Sequence, residues 1–144
     1  MDAKKLVIGM LVGTVVLWLV GRLIWMVAFA NFFSANLGGA TGFVREDPMM
    51  WPVILGHIAI ATLVTFAVVW SGSYSMGEGF KIGAIVGFLL WFGVDFILYG
   101  NFDTRTLWAT IVDPFLELIR TGIGGAVIGV VLGRFAKEEP ASSD

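Results

Sequence analysis

The chain of 144 residues is 58% hydrophobic and 14% charged, with a mean hydropathy of +0.89, and 9 basic plus 11 acidic side chains cannot cover the exterior of a soluble domain. A formal charge of −2 excludes a basic nucleic-acid-binding face, and the absence of cysteine excludes disulfides, thiolate nucleophiles and thiolate metal sites. The composition is that of an all-α polytopic membrane protein.

A helix needs about twenty mostly apolar residues to cross a bilayer core of about 30 Å. Four stretches meet that requirement, at residues 6–30, 50–70, 80–99 and 107–132. They predict one four-transmembrane-helix bundle over residues 1–137, followed by a short cytoplasmic tail at 138–144. The connectors NFFSANLGGATGFVREDP, SGSYSMGEG and GNFDTR are glycine-rich or polar and read as loops and turns. Lys4, Lys5, Lys81, Arg134 and Lys137 fall on one side of the spans, against Arg45 and Arg105 on the other. That bias places both termini in the cytoplasm. A cleaved signal peptide ending at Ala28-Phe29-Ala30 is the rival reading, but Arg22 and Trp25 interrupt its apolar run.

The first span opens with Gly9-x-x-x-Gly13, a spacing that lets helix backbones approach closely in lipid. Further along, Trp18, Arg22 and Trp25 share a helical face, where an arginine between tryptophans stacks on them, pairs with an acid or anchors at the interface. The second span carries the single histidine, His57, with no ligand partner four residues away, which suits helix packing better than metal binding. In the third, Gly83, Gly87, Trp91, Asp95 and Tyr99 form one row at spacing four, passing from close packing to polarity. The fourth places Asp113, Glu117, Arg120 and Gly124 inside about a 60° arc and Gly122, Gly125, Gly129 and Gly133 in another, so one helix offers a polar and a packing surface. Pro114 leaves a second reading of this span open, in which the helix begins there and Asp113 is an interfacial N-cap.

Under this topology the glycine rows all lie in the cytoplasmic half. Arg22, His57, Asp95 and Asp113, from four different spans, lie about 8–12 Å below the outer boundary. Glu117 and Arg120 sit deeper. Ionisable side chains at such depth are expensive and mark a functional site by default. The expected site is therefore a polar layer of Arg22, His57, Asp95, Asp113, Glu117 and Arg120 with an aromatic lining of Trp18, Trp25, Trp91 and Tyr99. Arg22 is expected to pair with Asp95 or with the Asp113/Glu117 face. The halves also echo each other faintly, GMLVGTVVLWLVGR against GAIVGFLLWFGVD.

The segments WSGSYSMGEGFKIGAIVGFLLWFGVDFILYGN, TLWATIVD and GGAVIGVVLGR resemble a group of small bacterial four-span membrane proteins of unknown function, over about half the chain. The resemblance implies a four-helix protein of the inner membrane and assigns no active site. No catalytic residue, cofactor or metal is expected, because the sequence holds no nucleophile elbow, phosphate loop or metalloprotease signature. The expected function is a non-catalytic accessory subunit or small-ligand-binding module with an outward-facing polar crevice. Its expected partners are the lipid bilayer and a larger membrane complex or a second copy of the chain. The alternative is a proton or small-solute translocator using the intramembrane carboxylates.

Overall fold

Backbone polar groups that find no water in lipid must be satisfied within their own segment, which leaves long apolar stretches the helix as their only economical form. In the structure, a computed structural model describing residues 3–138, every long apolar stretch is helical. The expected tail at 138–144 lies, beyond its first residue, outside the described residues. Helix α1 spans Ala3–Gly21 and continues through a wider π-helical segment, Arg22–Ala28, closed by the Phe29 amide donating to the Ile24 carbonyl at 2.8 Å. The short α2 covers Ala30–Ala35, α3 Met50–Ser71, α4 Met76–Asn101 and α5 Leu107–Glu138. Four helical stretches are long and apolar enough to cross a membrane, at Ala3–Ala28, Met50–Ser71, Met76–Asn101 and Leu107–Phe135. The protein is an all-helical, multi-pass membrane bundle.

Local chemistry explains where the helices depart from expectation. The connector after the first span begins as helix α2, where Phe29, Phe32 and Phe33 pack edge to face and Trp25 leans on Phe33. Helix α4 starts four residues before Phe80: the Ser75 hydroxyl accepts from the Glu78 amide at 3.2 Å, with an acidic residue at the third position. Helix α5 starts at Leu107, where the Thr106 hydroxyl accepts from the Ala109 amide at 3.3 Å. It runs through Pro114 without stopping, so Asp113 belongs to the interior of the helix and is not its cap.

Helix α5 is the axis of the bundle: 56% of its spanning window is buried, against 22–28% for the other three. Against it α4 packs backbone to backbone. A Cβ added at Gly79 or Gly83 would run into the carbonyl oxygens of Gly125 or Thr121, and one at Gly87 into the Thr121 hydroxyl. Gly125, Gly129 and Gly133 meet the carbonyl oxygens of Gly79, Ser75 and Tyr74 in the same way. On the other flank Gly9 seats Thr65, and Gly13 lies against Ala61 and Ile128. Between these contacts Val64, Val68, Ile128 and Leu132 form a fully buried apolar core.

That core occupies one end only. The buried residues of α3 are Ala61, Val64, Thr65 and Val68, all in its second half, whereas residues 50–56 are exposed apart from Pro52. Half of α3 is packed and half stands away, so the bundle is closed towards the chain termini and open towards the 29–49 loop. At the open end this loop is tied to the α4–α5 turn. The Ala40 amide donates to the Asp103 carbonyl at 2.8 Å, and Thr106 donates from its amide and its hydroxyl to Asn36, both at 3.0 Å. Gly38 lies so close to the Asp103 backbone that it has no room for a side chain, and Gly39 lies against the Asp103 carboxylate.

Candidate binding crevice

The polar face of α5 points into the open half. Asp113 and Glu117 are 5% and 3% exposed and Arg120 6%, while Asp95 on α4 is wholly buried. Charges in such surroundings require partners, and the structure supplies two sets. Arg105, in the turn between α4 and α5, reaches back so that its Nη1 donates to Asp95 Oδ1 at 3.2 Å and to Asp113 Oδ2 at 3.1 Å. One helical turn further along, Arg120 Nη1 pairs with Glu117 Oε1 at 3.1 Å, and its guanidinium stacks 5.5 Å from the Trp25 ring centroid. Trp25 also donates from Nε1 to Asp113 Oδ1 at 2.7 Å, joining the sets. The π-helical segment that holds Trp25 carries an extra residue per turn, and such insertions often re-aim a side chain at a functional site.

Beside these groups lies a cavity of about 330 Å³, walled by Trp25, His57, Trp91, Asp113, Glu117 and Arg120, with Arg105 at its edge and Gly56 and other α3 residues opposite. The His57 Nδ1 lies 2.7 Å from the Val53 carbonyl and donates to it. Four buried polar atoms of the wall have no partner: Trp91 Nε1, Glu117 Oε2, and Nε and Nη2 of Arg120. Asp95 Oδ2, behind the wall, is a fifth. An unpaired buried polar group costs about 1–3 kcal/mol, more when charged. The side chains along the wall therefore hold unused donors on Arg120 and Trp91 and an unused acceptor on Glu117, each atom itself buried. Three carboxylates meet two guanidiniums, so the cluster holds one more acid than base. Among the described residues no group of three or more His, Asp or Glu has the arrangement of a metal site.

Of the residues expected in the polar layer, His57, Asp113, Glu117 and Arg120 come together on this wall with Trp25 and Trp91, and Asp95 stands behind it. Among the described residues Arg22 has no acidic partner. It stacks over Trp18 at 5.3 Å and lines an adjoining cavity of about 290 Å³. The reason is positional: Arg22 begins the π-helical segment on an exposed side, and Arg105 already occupies both aspartates. Trp18 lines the adjoining cavity, and Tyr99, 40% exposed, lies at the α4–α5 turn outside the crevice. Arg105 was expected only as a loop charge. Its signal was its place, 10 and 8 residues from Asp95 and Asp113, on a side chain long enough to reach back.

No protein-family model, curated protein or solved structure matches the chain.

Proposed function

We propose that the protein is a non-catalytic binding module of the inner membrane that holds a small ligand in the crevice between α3 and α5, with both termini cytoplasmic and the crevice facing outward. The observation that carries this reading is the set of unpartnered buried atoms on the cavity wall, Trp91 Nε1, Glu117 Oε2 and the free edge of Arg120, which a ligand that both accepts and donates would satisfy. The lysine and arginine bias supports the orientation. Continuous transport is less favoured, because below Thr121 the interior is filled by Val64, Val68, Ile128 and Leu132 and by glycine contacts. Those glycines are consumed inside the bundle, so an accessory role in a larger membrane complex would use the outer aromatic and aliphatic side chains.

Cysteine accessibility tests the reading in a chain that has no native cysteine. Gly56→Cys borders the cavity, and a Cβ there meets nothing within 4 Å, whereas Val68→Cys lies in the closed core. A hydrophilic maleimide added from outside should modify the first and not the second. Equal modification would indicate an open conduit and favour the translocator; no modification at Gly56→Cys would indicate a dry bundle whose charges only hold helices together.

A further inference from the structure

The polar cavity is one end of a longer groove. A second cavity, of about 290 Å³, shares Trp25, His57 and Arg120 with it and adds Arg22. A third, of about 370 Å³, shares Trp18, Met50 and His57 with the second and has apolar walls. The three run between α1 and the outlying half of α3, from Thr14 near the middle of α1 to Arg22, eight residues or about 12 Å along the axis. The apolar section is open to the side: Val15, Leu19, Met50 and Ile54 on its walls are each about half exposed.

Resting on the crevice reading above, we propose that the ligand is a membrane amphiphile with a zwitterionic phosphate headgroup, entering sideways from the leaflet on the crevice side. Its headgroup lies against Arg120, Trp91 and Glu117, and its chain runs down the α1–α3 groove towards the bilayer midplane. The polarity of the groove matches that of a lipid in this leaflet, since its charged section lies towards the 29–49 loop and its apolar section beside the middle of α1. The headgroup follows from the free atoms. Nε and Nη2 form one edge of the Arg120 guanidinium, both lack a partner, and that edge binds two oxygens of a phosphate side by side. Arg22, which has no acidic partner among the described residues, adds a second positive charge along the groove. Glu117 Oε2 needs a donor, and the cluster of Asp95, Asp113 and Glu117 against Arg105 and Arg120 has one acid in excess. An ammonium beside the phosphate meets both requirements.

The test uses the purified full chain in detergent and three probes: a lysophosphatidylethanolamine brominated in mid-chain, an alkyl glucoside with the same brominated chain, and phosphoethanolamine. Bromine quenches tryptophan at short range, and Trp18 borders the apolar section. The lysophospholipid should quench saturably, at a concentration at least tenfold below that of the glucoside, and Trp18→Phe should remove most of the quenching. Arg22→Gln, at an exposed position, should raise the half-quenching concentration at least threefold with the thermal midpoint of the unliganded protein unchanged. Equal quenching by the glucoside, insensitive to Arg22→Gln, would mean ordinary lipid contact and overturn the proposal. If phosphoethanolamine raises the thermal midpoint as much as the lysophospholipid does, the chain contributes nothing; the amphiphile proposal then falls and the crevice reading stands. No saturable quenching also overturns the proposal, and the cysteine accessibility of Gly56→Cys still decides the crevice reading separately.

Discussion

Removing the Arg105 guanidinium is the sharpest perturbation of the polar layer, because a single nitrogen serves two buried carboxylates, at 3.2 Å to Asp95 and 3.1 Å to Asp113. Breaking a buried pair by deleting one partner typically costs about 3–5 kcal/mol, since the other charge is left without compensation. Asp95 is fully buried, but the Arg105 side chain is 30% exposed, so water screens part of the interaction. The expected cost of Arg105→Gln is therefore about 2–4 kcal/mol. Reversible unfolding in mixed micelles, followed by helical circular dichroism, measures it. Adding Asp95→Asn to Arg105→Gln should recover at least about 1 kcal/mol, because the stranded charge is then gone. Arg22→Gln should shift stability by no more than about 0.5 kcal/mol, as an exposed residue without an acidic partner among the described residues. Additive effects of Arg105→Gln and Asp95→Asn, or an Arg22→Gln cost equal to that of Arg105→Gln, would refute the assignment of Arg105 as the cation of the layer.

Other consequences are simpler to read. Gly83→Ala should lose about 1–3 kcal/mol or more in the same unfolding assay, because its Cβ meets the Thr121 backbone, whereas Gly56→Ala, with open space around it, should be neutral or gain up to about 1 kcal/mol. Trp25→Phe keeps the ring under Arg120 but removes the hydrogen bond to the Asp113 carboxylate, and should cost about 1.5–3 kcal/mol by denaturant titration. Ser75→Ala should cost about 1 kcal/mol and speed hydrogen exchange at the Glu78 amide, since the hydroxyl there caps α4.

The four spans and their glycine rows were legible because both depend on local periodicity: an apolar stretch long enough to cross lipid, and small residues four apart on one face. The face of α5 that joins Asp113, Glu117 and Arg120 follows from the same arithmetic, and it survives Pro114 because the helix stays in register through it. What periodicity could not supply was the outcome at irregular backbone. The π-helical turn at Arg22–Ala28 breaks the 100° step, so Arg22 and Trp25, one face on a regular wheel, part company. Arg22 remains on Trp18 while Trp25 turns to Asp113. Arg105 lies in a turn, where no wheel assigns a direction, and its pairing depends on the loop at Asn36 and Leu37 that braces that turn. The splaying of α3 was equally hidden: residues 50–56 are as apolar as 61–68, and only the position of α5 decides which half is packed.

The most direct measurement is a structure of the full chain determined in a lipid nanodisc, read at the free edge of Arg120. The account predicts non-protein density within hydrogen-bonding distance of Nε and Nη2 and of Trp91 Nε1, with the outer half of α3 standing apart from α5. If α3 instead closes onto Glu117 and Arg120, so that protein groups satisfy those atoms and the 330 Å³ cavity is gone, the crevice is not a binding site and the account is contradicted.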